Sequence, residues 1–267
     1  MQILHSKKID NWFLEVILLQ KSRVILVISH GTTDKTGIIE RNNFAILLKA
    51  ELECNTEICY LDSMSPYIKE TINICINKHY KEIILFPLLL NRAEHLKHDI
   101  YNIVELYKKK YTDIKFYISN NLGSHQEIIE ILKAKIVSIA NNLEINNTGL
   151  LFVSHYNDND DVRNDVYSIS RKLHDNFMFC ETTVNYYNNV KPSIDQSLSH
   201  LLNANVKNII VLAYFLFSGI IINSLKGKIL EFKITNPSIE TRFSGPIGAD
   251  IRVVNIIREY CDMNISF

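Results

Sequence analysis

The chain runs through the same series of landmarks twice, and this constrains its architecture more than any other feature. Val-Ile-Ser-His-Gly-Thr-Thr-Asp, from Val27 to Asp34, is echoed by Phe-Val-Ser-His-Tyr-Asn-Asp-Asn, from Phe152 to Asn159. Ser65-Pro66 is echoed by Lys191-Pro192, the apolar run Ile83 to Leu90 by Ile209 to Ile222, and Leu122-Gly123 by Ile247-Gly248. The offsets are 125, 126, 126 and 125. A repeated unit of about 120 residues has a normal domain size. The copies diverge after the second apolar run. The first continues Asn91-Arg92-Ala93-Glu94-His95-Leu96-Lys97-His98-Asp99, and the second Ser218-Gly219-Ile220-Ile221-Ile222. One polar copy and one apolar copy point to one working site and one scaffold half.

Each copy alternates short apolar runs with helical periodicity. Arg23–Ser29 reads as a buried strand feeding a loop at His30-Gly31. Helical spacing follows over Arg41–Glu53, then a strand at Glu57–Leu61, a helix at Tyr67–His79 and a strand at Glu82–Leu90. A helix over Asp99–Tyr111, a strand at Ile114–Ser119 and a helix at Gln126–Ala140 complete the unit. Strands that are apolar almost throughout, alternating with helices, predict parallel sheets covered on both faces. The expected fold is therefore α/β: two similar lobes from an internal duplication, each a parallel four-stranded sheet flanked by helices. Boundaries are expected at 1–22 for an N-terminal extension that packs as an accessory helix, 23–146 for the active-site lobe and 147–267 for a degenerate lobe. Leu143–Thr148 is the expected linker.

Composition narrows the partners. Lys plus Arg and Asp plus Glu each number 29, so the net charge is zero, with no electrostatic footprint for nucleic acid. The longest apolar run, Ile209–Ile222, has 14 residues, short of the roughly 20 of a membrane span. Lys7, Lys8, Asp10 and Glu15 interrupt the N-terminal apolar residues, so that stretch does not read as a signal peptide. The five cysteines, Cys54, Cys59, Cys75, Cys180 and Cys261, form no C-x-x-C pair. They are expected to be reduced thiols of a soluble cytoplasmic protein.

Ligands of α/β sheets bind beyond the carboxyl ends of strands. His30, Asp62 and the segment from Arg92 to His98 all follow predicted strands. His30 alone reads as a loop-bonding histidine. His95 and His98, three apart, share a face only where the segment is helical. Two imidazole-bearing strand ends and a carboxylate at Asp62 make an open divalent-metal site plausible. Thr32, Thr33, Arg41, Arg92 and Lys97 lie near the same edge, where they can hold an anion by charge-assisted hydrogen bonds. Each taken singly reads equally well as ordinary surface.

The ordered set of motifs resembles the CbiX-type sirohydrochlorin chelatases over roughly residues 23–250. Phe-Pro-Leu-Leu-Leu-Asn-Arg-Ala-Glu-His-Leu-Lys-His-Asp-Ile, Phe86 to Ile100, resembles that family's Pro-Leu-Phe-Leu run, small-residue turn and His-Val-x-x-Asp-Ile. His-Gly-Thr-Thr-Asp at His30 to Asp34, Tyr60 to Pro66, Leu122-Gly123-Ser124-His125 and Tyr214 to Gly219 match further family segments in order. The resemblance implies two chelatase-fold lobes that insert a divalent metal into sirohydrochlorin. His30 and His95 would then be the catalytic imidazoles, with His30, His95 and Asp62 on the metal and His98 a possible extra ligand. Thr32, Thr33, Arg92 and Lys97 would hold the anionic tetrapyrrole. Thr33 stands where the family has Arg, Glu94 where it has Gly, and Asp62 where it often has Glu. His155 aligns with His30, but Ile220 or Ile221 falls at the place of His95, so the second lobe is not expected to catalyse.

The implied reaction is cobalt insertion in cobalamin synthesis, with iron insertion for sirohaem as the alternative. Neither needs a permanently bound cofactor: Co2+ or Fe2+ is a substrate. A histidine phosphatase is disfavoured because Ser29 stands where those enzymes need Arg. A non-catalytic metal or tetrapyrrole binder shares the same residues and stays open. Partners are sirohydrochlorin and a metal ion, with no nucleic acid or membrane, for a monomer or homodimer.

Overall fold

The structure, a computed structural model, describes residues 22–91, 94–120, 122–123, 125–156, 158–187 and 191–262; the side chains of 94–97 and 262 lie outside that description. The accessory helix expected in the N-terminal extension lies outside the described residues, apart from residue 22. The first sheet holds β1 (Arg23–Ser29), β2 (Asn55–Tyr60), β3 (Glu82–Pro87) and β4 (Lys115–Ile118), in the order β2-β1-β3-β4. The second holds β5 (Thr148–His155), β6 (Glu181–Tyr187), β7 (Asn208–Ala213) and β8 (Glu240–Phe243), in the order β6-β5-β7-β8. All pairings between these strands are parallel. Helices α1 (Lys35–Glu51), α2 (Ile68–Asn77), α3 (Glu94–Lys110) and α4 (Gln126–Ile139) follow the first four strands. Helices α5 (Asp160–Phe177), α6 (Ile194–Asn203), α7 (Ile220–Thr235) and α8 (Ile251–Asp262) follow the second four. The two X-Pro landmarks of the repeat, Ser65-Pro66 and Lys191-Pro192, are both cis.

Strand alternation sorts side chains into layers. In β1, Val24, Leu26 and Ile28 face an outer core with Ile68 and Ile72 of α2 and Ile100 and Val104 of α3. Leu151 and Val153 of β5 face a matching outer core with α6 and α7. The opposite faces of both sheets, with Ile25 and Val27 on one and Leu150 and Phe152 on the other, share a single central core. Helices α1, α4, α5 and α8 fill it. The terminal helices cross over: α4 packs on α5 and β7, and α8 packs on α1 and α4. Phe86 meets Tyr260 edge-on at 5.2 Å, and Phe44 lies 5.7 Å from Phe217. The molecule is a five-layer α/β/α/β/α stack.

Cys54 and Cys261 are joined as a disulfide, which corrects the expectation of five reduced thiols. Helix α8 lies along α1, and Cys54 follows the end of α1, so residues 207 apart meet with no spacing signature in the chain. Among the described residues, Cys59 and Cys75 are free and buried and Cys180 is free and exposed. Burial pushes the Cys59 and Cys75 thiols up to about 12, so both are inert. The apolar run Ile209–Ile222 divides among β7, a loop and the start of α7. No helix of the described residues is long and apolar enough to cross a membrane.

Candidate functional site

The strand ends β1 and β2 carry the first two groups. His30 follows β1, and Gly31 follows His30 because nothing larger fits: a Cβ there would stand 1.7 Å from the carbonyl oxygen of Asp62. That close approach brings the loop after β2 against the loop after β1. Nδ1 of His30 lies 3.7 Å from Oδ2 of Asp62, both side chains being partly open to solvent. The separation exceeds a hydrogen bond but keeps the carboxylate's field on Nδ1. It favours the tautomer with its proton on Nδ1 and a lone pair on Nε2. Burial holds the His30 pKa below its ordinary value, Asp62 pulls it back up, and Arg41 and His155 oppose protonation. His30 is therefore a neutral imidazole at pH 7.

Helix α1 begins six residues earlier than periodicity predicts. Asp34 caps it, Oδ1 accepting from the Gly37 N–H at 2.8 Å. The Thr32 hydroxyl accepts from the Asp34 N–H, so Thr32 shapes the turn, while Thr33 is exposed. Arg41 then reaches back: its Nε donates to the His30 carbonyl at 2.9 Å and Nη1 to the Gly37 carbonyl at 3.0 Å. Segments of the second lobe close over this corner. Arg41 Nη1 also donates to the Ser218 carbonyl at 3.3 Å, and its guanidinium stacks 4.9 Å from the Phe217 ring centre. Both Glu40 oxygens accept from Ser218, from its N–H and its hydroxyl. Asp34 Oδ2 accepts from Asn223 Nδ2 at 2.7 Å.

The loop after β3 leans the other way. Asn91 Nδ2 donates to Ser154 Oγ at 3.2 Å, beside His155. The strand ends at Pro87, not Leu90, and α3 begins at Glu94, not Asp99. His95 and His98 therefore sit three apart within one helix, and Lys97 lies between them. His98 is exposed. Arg92 and the side chains of His95 and Lys97 lie outside the described residues. In the second lobe Ile220 opens α7 as Glu94 opens α3, so Ile221 takes the place of His95. His155 keeps the position of His30; its Nδ1 lies 2.7 Å from the Tyr156 carbonyl, which can only accept, so Nδ1 carries the proton. Among the described residues no three His, Cys, Asp or Glu side chains converge to hold a metal ion.

Glu40, Ser218 and the side chain of Tyr60 belong to this corner without any motif marking them in the sequence. Glu40 and Ser218 are 178 apart in the chain, and no spacing announces such a pair. A charged residue inside the first turns of a helix whose start had been placed too late was the only available signal.

The family model CbiX matches residues 24–139 and again 149–262. A sirohydrochlorin cobaltochelatase of Priestia megaterium is 26% identical over 248 residues, covering 91% of this chain and 80% of that one. A sirohydrochlorin ferrochelatase of the same organism is 27% identical over 203 residues, 76% of each chain. The crystal structure of a sirohydrochlorin chelatase from Bacillus subtilis subspecies spizizenii in complex with cobalt superposes with a TM-score of 0.71 at 24% identity, over 87% of this chain and 91% of that one. That last likeness is one of fold.

Proposed function

The chain belongs to the CbiX family, and from that premise we propose that it is a lyase of the chelatase type, inserting Co2+ into sirohydrochlorin. Both repeats match the family model, and its cobaltochelatase relative spans nine-tenths of the chain. The observation that carries the chemistry is His30, kept neutral by burial and aimed by Asp62. Insertion removes two pyrrole N–H protons and strips water from the ion. A neutral imidazole with an outward Nε2 can bind the ion or accept one of those protons. His95, on the first turn of α3, is the second such group in this reading. Asp62 acts on His30 from the Nδ1 side, a role closer to orienting the ligand than to binding metal. In this reading Thr33, Arg92 and Lys97 are the groups assigned to bind the acidic substrate, with Thr32 holding the turn and His98 a spare imidazole. Sirohydrochlorin and the metal ion are both substrates, and no resident cofactor enters the scheme.

Iron is the second reading, because a ferrochelatase relative matches at nearly the same identity. Imidazole and carboxylate accept either ion, and intrinsic affinity order does not decide selection in a cell. The test is an anaerobic absorbance time course with sirohydrochlorin and Co2+ or Fe2+ in parallel. Multiple turnovers above a protein-free control, faster with cobalt, are expected; faster turnover with iron replaces the first reading by the second. A stoichiometric spectral shift without turnover would instead describe a binding protein. His95→Ala should abolish turnover and leave the fold intact, and wild-type rates in that variant would remove His95 from the site. The reading also carries a cytoplasmic protein, monomeric or homodimeric. Alkylation in freshly opened cells followed by mass spectrometry checks the compartment, since a Cys54–Cys261 link already present there argues against it.

A further inference from the structure

Arg41 is half-buried, yet among the described residues it makes no ion pair, and its only hydrogen-bond partners are carbonyl oxygens. The carboxylates around it are engaged elsewhere. Glu40 is taken by Ser218, Asp34 by Gly37 and Asn223, and Asp62 faces His30. Those carbonyls fix Nε and Nη1, while Nη2 has no protein partner among the described residues. Glu40, Asp34 and Asp62 lie near enough to act on its charge, but none of them is hydrogen-bonded to the guanidinium, so a ligand anion can take the unused donor.

The space beside it is open to solvent, so an anion can approach from outside. Arg41, Ser29 and Tyr60 line a small, solvent-open cleft on an apolar bed of Phe44, Leu88 and Phe217. The Ser29 hydroxyl is used up on the His30 carbonyl. The Tyr60 hydroxyl has no partner among the described residues and can donate. Two unspent donors, one charged, therefore converge on the cleft. The guanidinium cannot swing away, because its other nitrogens are bonded to both lobes and its face is stacked on Phe217.

We propose that Arg41 and Tyr60 form a carboxylate-binding subsite beside His30, which receives one acidic side arm of the tetrapyrrole. The proposal rests on the chelatase reading and gives that reading a specificity element. The arms project from the macrocycle's rim while its nitrogens sit at the centre, so a clamp beside the imidazole would bring the nitrogens over it. Ser218 and Phe217 hold Arg41 in place, which gives the non-catalytic lobe a part in the site.

The test is fluorescence titration of metal-free sirohydrochlorin into the whole protein, with the methyl-esterified tetrapyrrole in a parallel arm. A lost charge-assisted hydrogen bond predicts roughly 10- to 100-fold weaker binding of the free acid by Arg41→Gln. Tyr60→Phe should weaken it about 3- to 10-fold and leave Co2+ binding, read by its visible absorption without tetrapyrrole, unchanged. Arg41→Lys should recover part of the loss. The ester should bind wild type and variants alike, which separates arm recognition from disturbance of His30. Free-acid binding as tight in Arg41→Gln and Tyr60→Phe as in wild type overturns the subsite. If Arg41→Gln does not fold, Tyr60→Phe decides. A wild type that binds no sirohydrochlorin overturns the chelatase reading itself, a distinct result.

Discussion

At the residue scale, the charge state of one imidazole sets the working pH. In the proposed reading metal and protons compete for Nε2 of His30, so activity should fall on the acid side. Burial lowers the His30 pKa, which places that fall below the ordinary imidazole value of about 6.5. Asp62 works against burial by raising it. Asp62→Asn removes the raising influence, so the acid limb of kcat/KM should move to lower pH. Turnover should also drop by about 10- to 100-fold, because the imidazole loses its orienting partner. A limb that moved to higher pH would contradict this assignment. Sequence made His30 and Asp62 visible as chemistry at two strand ends, but left Asp62 equally a ligand or an orienter. The Gly31 contact sets the carboxylate on the Nδ1 side, and the orienting role proposed for Asp62 rests on that placement. Arg41 was visible only as one cation among several near that edge. What distinguishes it, the absence of an ion pair among the described residues, is a property of neighbours far away in the chain.

At the element scale, the first turns of α1 are where local preference and tertiary fit disagree. Gly37→Ala should gain about 1 kcal/mol of helix propensity. The added Cβ, however, would lie 2.3 Å from the Ser218 carbonyl oxygen and 2.9 Å from Arg41 Nη1. A backbone atom cannot yield as a flexible side chain does, so overpacking of about 1–3 kcal/mol should win. Urea unfolding should show net destabilisation; a stabilised variant would mean the second-lobe loop is not seated on α1. The same turns show where sequence reading stopped. Strands were placed within a few residues because parallel strands buried on both faces are apolar throughout, as the fully buried β1 is. The starts of α1 and α3 were read six and five residues late. Their first turns hold polar residues at a lobe boundary, where burial does not impose a helical period. The late start mattered most in α3, because it left His95 and His98 in a supposed loop when both are helical.

At the scale of the whole molecule, duplication has produced one body in which each half completes the other. The two sheets share one core, and their terminal helices pack crosswise. Val253, Val254, Ile256, Ile257 and Cys261 of α8 are all buried in that core. The Tyr214 hydroxyl donates to the Gly123 carbonyl at 2.9 Å, and Arg258 to the Glu51 carbonyl at 2.9 Å, both across the repeat boundary. The periodicity of the two copies was legible, but a repeat reports only what each copy contains. It is silent on whether the copies stand apart or interlock, because that depends on which apolar faces meet. Interlocking has a measurable consequence. Each aliphatic side chain withdrawn from water contributes about 1.5–3 kcal/mol, whereas a domain's net stability is only about 5–15 kcal/mol. A first repeat expressed alone, residues 1–147, would lose α8 and the inner face of the second sheet together. That half should therefore unfold, aggregate or pair with a second copy of itself, as read by size-exclusion chromatography with light scattering and by thermal melting. A monomer that melts cooperatively near the temperature of the full chain would show two self-sufficient lobes, and the shared core would then stabilise their union without being required for either fold.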